Sequence, residues 1–266
     1  EQSNATSDLI IEKPETAQEQ SLVTVWQNVL GLSAVPLQES FFALGGDSIS
    51  AIKTVSELSK LGWKLTAKDI FVEQTIARLA LCLKPIDEAQ VYQAITGELA
   101  LLPIQQSFIS EQNEHWTHFN QVVALELKQD MQKEHLLKAL APLVEQHDVL
   151  RMVLTAEEHA VQAQFLAADM NYTQLVFDYQ VDSVNSQTWL EIVNSHQAQF
   201  EVNEQPLWCL LRVNESSSGK VFLVWICHHF IVDSVSWQVL LSDFASSLQA
   251  QNQQLAPVLA SKTAPI

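Results

Sequence analysis

Basic residues are scarce in this chain: 14 Lys and Arg stand against 31 Asp and Glu, for a formal net charge of −17. A nucleic-acid partner needs clusters of cations on its phosphates, so that class is excluded as an expectation. Cysteine is scarcer still, with only Cys82, Cys209 and Cys227. Their odd number and their spacing exclude a disulfide framework and a cysteine metal site. Two of them lie in apolar runs, and all three read as free thiols in a reducing cytoplasm. No apolar run is long enough to span a bilayer, and the polar N-terminus has no signal-peptide core, so no membrane partner is expected. No internal repeat is visible.

What is present fits a soluble globular protein: 47% of the residues are hydrophobic and the mean hydropathy is +0.05. A length of 266 residues suits two domains better than one. The charge is uneven, with 10 acidic and 7 basic residues up to Pro85 and 21 acidic and 7 basic from Ile86 onward. That asymmetry predicts two differently built parts.

Residues 1–17 are polar and acidic and read as a tail. Leu22, Val25, Trp26, Val29 and Leu30 then recur at helical spacing, with Gly31 as the stop. A loop holding Phe41-Phe42 leads to Gly45-Gly46-Asp47-Ser48, and Ile49, Ile52, Val55 and Leu58 mark a second helix. Ile76, Leu79, Ala80 and Leu83 give a third, before Pro85. The two glycines allow a sharp turn, and either Asp47 or Ser48 stands at the helix N-cap. A hydroxyl there suits a phosphate, since free N–H groups and the helix dipole favour an anion; the plainer reading is a capping serine.

Residues 85–98 lack periodicity and read as a linker. Beyond them, Val122–Leu127 predicts a strand, and Leu136, Leu137, Leu140, Leu143 and Val144 a helix that Pro142 should kink or end. Val149–Leu154 and Val161–Phe165 suggest a hairpin across Glu157-Glu158-His159. Trp189, Ile192, Val193, His196 and Phe200 suggest another helix behind a Ser186 cap. Leu207–Val213 and Val221–Cys227 read as strands, the second buried on both faces, and Ser236–Leu248 as a helix. This mixed order fits a layer of helices on a sheet.

The apolar run Val221–Cys227 ends in His228-His229. Neighbouring strand residues point to opposite faces, so the two imidazoles cannot serve one site equally. Three readings compete. Both could be hydrogen-bonded core residues. A metal set of the two histidines with Asp233 is weak, because no further ligand cluster lies close in sequence. General acid–base work is the third, since imidazole titrates near neutral pH.

Two stretches carry resemblances. The run FFALGGDSI closely resembles the peptidyl carrier domain of nonribosomal peptide synthetases, over residues 18–84. The resemblance implies that Ser48, beside Asp47, takes 4′-phosphopantetheine from a separate phosphopantetheinyl transferase. The arm would hold an amino acid or peptide as a thioester. HHFIVDSVSW resembles the HHxxxDGxSW signature of the epimerization branch of the condensation-domain superfamily, with support from LPIQ, HWTHFNQ and HDVLR upstream. It spans residues 99–266.

Together these imply an α+β fold class: a small four-helix carrier bundle, then one half of a chloramphenicol-acetyltransferase-like α/β sandwich. They imply an epimerase for a carrier-bound thioester, with His229 as the base and His228 beside it as scaffold. Asp233 is expected to pair with Arg151 as a brace, and Trp237, Ser234 and Asn120 to line the substrate path. Ser234 stands where the family has glycine, which matters if that position needs φ > 0. The implied partners are adenylation and condensation domains of the same synthetase. The family's glutamate opposite the histidine comes from the second half, which this chain does not include, so the chain alone is expected to be an incomplete epimerase. A condensation domain using the same His229, and a non-catalytic domain that only docks the carrier, stay open.

Overall fold

In the computed structural model the described residues are 12–86, 94–111, 118–157, 160–198, 200 and 205–259. They form two compact units, which meet in sequence near residue 93.

The first unit is helical. Helix α1 (Ala17–Leu30) starts on a capping box between Thr16 and Glu19 and ends at Gly31, whose φ of 69° only glycine adopts without cost. Helix α2 (Ser48–Lys60) follows a loop, then strand β1 (Trp63–Lys64). Helices α3 (Ala67–Glu73) and α4 (Ile76–Cys82) carry Thr66 and Thr75 as caps. Strand β2 (Lys84–Pro85) pairs antiparallel with β1. Leu22, Trp26, Phe41, Leu58, Ile70, Ile76 and Leu79 close one fully buried core. Periodicity finds three of the four helices. It misses α3, whose seven residues bury only Ile70 and therefore show no stripe.

The second unit is built on two sheets. Strand β3 (Gly97–Leu99) leads into α5 (Pro103–Glu111), β4 (Asn120–Leu127) and α6 (Lys133–Gln146). A 3-10 turn at Asp148–Arg151 precedes the hairpin of β5 (Met152–Glu157) and β6 (Ala160–Phe165). Then come β7 (Val176–Val181), α7 (Gln187–Ala198), β8 (Trp208–Glu215), β9 (Val221–His228) and α8 (Ser234–Asn252). The larger sheet runs β4-β9-β8-β7 and the smaller β3-β6-β5. Among the described residues only β7 and β8 pair in parallel, joined by α7.

Strand β9 lies inside the larger sheet, which explains its unbroken apolar run. Leu223, Trp225 and Cys227 pack with α6 and α8 through Leu136, Leu140, Leu240 and Phe244. Val224 and Ile226 pack on the other side with Trp189, Ile192 and Val193 of α7.

The expected helix is α6, and Pro142 does not end it: the helix continues to Gln146. An interior proline costs about 3 kcal/mol, but Leu143 and Val144 beyond it are fully buried, and each such side chain gains about 1.5–3 kcal/mol. Val149–Arg151 form a 3-10 turn instead of strand, and the tip of the hairpin, Glu158-His159, lies outside the described residues. Both ends of the expected linker are strand, since Pro85 belongs to β2 and Gly97-Glu98 to β3.

Candidate functional site

Helix α2 begins in a tight loop. Gly45 has φ 93°, and a Cβ on Gly46 would stand 2.4 Å from the Phe41 ring, so this loop closes only with glycine there. Asp47, with extended backbone, is the N-cap: its Oδ1 accepts from the Ser50 N–H at 2.8 Å and from the Ser50 hydroxyl at 2.7 Å. These bonds, the backbone one first, hold the Asp47 carboxyl below its ordinary pKa. Ser48 is the first helical residue, exposed to solvent. The capping task therefore falls to Asp47 and leaves the Ser48 hydroxyl clear of it.

In the second unit, the chain turns sharply where β9 gives way to α8. His228 is 1% exposed, and its Nδ1 accepts the Phe230 N–H at 3.1 Å. Its ring sits among Phe108 and Phe230. His229 extends the β4–β9 ladder by one bond, donating its N–H to the Phe119 carbonyl at 2.7 Å. Its half-buried ring stacks on Phe119, with centroids 5.0 Å apart and planes 10° apart. Nδ1 lies 2.7 Å from the Val232 carbonyl. A carbonyl can only accept, so Nδ1 carries hydrogen and the neutral ring keeps its lone pair on Nε2. That nitrogen lies 3.1 Å from Gln121 Nε2, and the Trp237 indole N–H donates to Gln121 Oε1 at 2.8 Å. The arrangement offers a proton acceptor at Nε2 of His229.

The remaining expected residues fall as follows. Trp237 is 6% exposed and packs edge-on against Trp225 at 5.7 Å, so it is core and site wall at once. Asn120 is directed to α7, where its Nδ2 donates to the Gln197 carbonyl at 2.8 Å. Asp233 caps α8, accepting from the Ser236 N–H and hydroxyl at 2.7 Å each. The Ser236 N–H bond is the main cause of its lowered pKa; burial opposes it, and the Ser236 hydroxyl, the Val235 N–H and the nearby His229 lower it by smaller amounts.

The expected Asp233–Arg151 brace is absent. Arg151 is fully buried, with Asp148 three residues away taking one nitrogen and the carbonyls of Val144, Ile95 and Leu166 taking the others. A local carboxylate satisfies the guanidinium before the distant one can. Ser234 is the first residue of α8, exposed and outside the positive-φ set, so serine replaces glycine there without backbone strain.

Cys209 and Cys227 are buried, which pushes the Cys209 thiol up to about 12 and the Cys227 thiol well above its ordinary value. Neither is a nucleophile near neutral pH. Among the described residues no group of three His, Cys, Asp or Glu could hold a metal ion, and no helix is long and apolar enough to cross a membrane.

The sequence reading missed Gln121, Phe119 and the Val232 carbonyl. A signal for Gln121 existed: in β4 it shares a face with Val123, Leu125 and Leu127, which pack toward the α6 and α8 side.

Two family comparisons match this chain. Residues 20–83 match the phosphopantetheine attachment site family, and residues 95–263 match the condensation domain family. The second match covers more than half of the chain. The chain belongs to the condensation-domain family. It is a carrier domain followed by a condensation-superfamily domain of the nonribosomal peptide synthetase kind, and the cofactor of such a carrier is 4′-phosphopantetheine.

Surfactin synthase subunit 2 of Bacillus subtilis (strain 168) is 34% identical over 256 residues, covering 94% of this chain and 7% of that protein. Tyrocidine synthase 2 of Brevibacillus parabrevis is 34% identical over 251 residues, again 94% of this chain and 7% of that protein. The chain thus spans a small part of the length of its curated relatives. Among solved structures, the epimerization domain from the third module of tyrocidine synthetase B superposes with a TM-score of 0.59 at 26% identity, over 65% of this chain and 40% of that one. The first condensation domain of the calcium-dependent antibiotic synthetase gives 0.52 at 16% identity over 61% and 40%, which speaks for the fold alone. The α+β, chloramphenicol-acetyltransferase-like class follows from both.

Proposed function

We propose that residues 18–84 carry an aminoacyl or peptidyl group on Ser48 and that the domain from residue 99 onward inverts its α-carbon from L to D at His229. The observation that carries this reading is the hydrogen-bonded state of His229, with Nδ1–H held by Val232 and the lone pair directed from Nε2.

The residues at Ser48 fit the cofactor. The hydroxyl is exposed, Asp47 has taken the cap, and the first N–H groups of a 13-residue helix favour a phosphodiester anion beside it. When attached, the arm supplies a terminal thiol that holds the acyl group as a thioester, whose carbonyl acidifies the α-hydrogen. His229 takes that proton at Nε2 while the C–H electron pair passes into the thioester carbonyl; the Val232 carbonyl, already bonded to Nδ1–H, stabilises the resulting imidazolium, and a proton returned to the opposite face of the α-carbon inverts the centre. His228, buried and engaged through Nδ1, holds the turn that presents its neighbour.

The likeness to an epimerization domain at 26% identity supports this assignment, as does the meeting of Gln121 and Trp237 at His229. The family match as a condensation domain favours a second reading, in which His229 assists peptide-bond formation. A phosphopantetheinyl transferase, adenylation and condensation domains, and the thioester itself are the partners of either reading.

Chirality separates them. With an L-amino acid loaded through Ser48 of the full-length synthetase, epimerization yields D-residue on the carrier before any acceptor is supplied. Recovery of L-residue alone, with a new peptide bond once an acceptor carrier is added, establishes condensation instead. Recovery of neither product leaves a docking domain.

A further inference from the structure

The geometry points to Gln121 and Trp237 as positioning residues that together fix the tautomer of His229. The indole nitrogen of Trp237 is a donor only, so the Gln121 atom 2.8 Å from it is the amide oxygen. The Gln121 atom facing His229 at 3.1 Å is then the NH2 group, which requires a lone pair on Nε2. Val232 makes the complementary demand for hydrogen on Nδ1 at 2.7 Å. Three residues from three places in the chain thus agree on one tautomer.

Protonating Nε2 puts two donors face to face. The Gln121 amide cannot relieve this by turning over, because its NH2 group would then meet the Trp237 N–H. One hydrogen bond is lost either way. Trp237 cannot easily move aside, since it is nearly buried against Trp225. Asp233, the N-cap of α8, stands near the ring. Phe119 and Trp237, which pack on the ring and on Gln121, bring no charge. A substrate C–H that displaces the Gln121 amide meets a lone pair already aimed along the same line.

The relevance of this lock to catalysis rests on the proposed proton transfer, but the lock itself is read without substrate. The test is 15N NMR of the histidine-labelled 266-residue chain, with His229 assigned by the loss of its signals in His229→Ala. In the wild type, neutral His229 should show hydrogen on Nδ1. Gln121→Glu replaces the donor by an anionic acceptor and should bring hydrogen onto Nε2. Trp237→Phe keeps an aromatic ring but frees the amide to turn, so it should mix the tautomers. A purely structural role for either residue would leave the ring nitrogen signals in place. Hydrogen on Nε2 in the wild type, or a bare Nε2 in Gln121→Glu, overturns the inference. If Trp237→Phe does not fold, the half-buried Gln121 position decides alone. Failure of the chirality assay leaves the NMR result standing, so the two readings fail separately.

Discussion

The N-termini of α2 and α8 share one plan. Asp47-Ser48-Ile49-Ser50 and Asp233-Ser234-Val235-Ser236 differ at a single apolar position. Both aspartates are extended N-caps, with φ −136° and −135°, and both accept from the N–H and hydroxyl of the serine three residues on. In each, an exposed serine is the first helical residue. What precedes the cap separates them. Before Asp47 stands a glycine loop pressed against Phe41; before Asp233 stands Val232, whose carbonyl holds His229. The cap starts a helix, and the approach to the cap decides what the helix start is used for.

That contrast breaks if the two serines prove interchangeable. Ser48→Ala should abolish phosphopantetheine mass addition by the transferase, as read by intact mass spectrometry, while Ser234→Ala should leave it complete. Addition to the Ser48→Ala chain would mean that a capped serine alone is enough.

The approach loops should differ in what they tolerate. Gly46→Ala forces a methyl into the Phe41 ring and should destabilise the first unit by about 1–3 kcal/mol in thermal or urea unfolding. Ser234→Gly, at an exposed and unstrained position, should stay within about 0.5 kcal/mol. An equal cost at both would show that the glycine loop is not constrained by Phe41.

The caps themselves should behave alike. Asp233→Ala should cost the second unit about 1 kcal/mol, and Asp47→Ala should destabilise the first in the same direction. Both carboxyls have lowered folded pKa values through their serine bonds. Their contribution is therefore complete above the ordinary value of 3.8 and is lost as pH falls through the lower folded value. Unfolding midpoints of the Asp→Ala variants should converge with wild type only on the acid side of that window. Convergence at neutral pH would remove the capping role.

How far the sequence made this legible follows from which interactions are local. Long apolar faces such as those of α1, α2 and β9 announce their elements by period alone. Helix α3 and strand β7 were missed, the first for want of a buried stripe and the second because Val176–Val181 buries fully only its two ends. The two histidines were separable by strand alternation, and the resemblance singled out His229. Gln121 was not identified as a site residue, because its role depends on β4 lying beside β9, with Asn120 opposite His228. Arg151 went the other way: a long-range partner was expected, and Asp148 three residues before it took the place.

The most direct measurement is deuterium wash-in at the α-carbon of an L-aminoacyl group loaded through Ser48 of the full-length synthetase in D2O. Wild type should incorporate deuterium, and His229→Ala should lower the rate by about 10²-fold or more, a loss typical of a missing general base. Exchange that continues unchanged in His229→Ala would contradict the assignment of Nε2 as the proton acceptor.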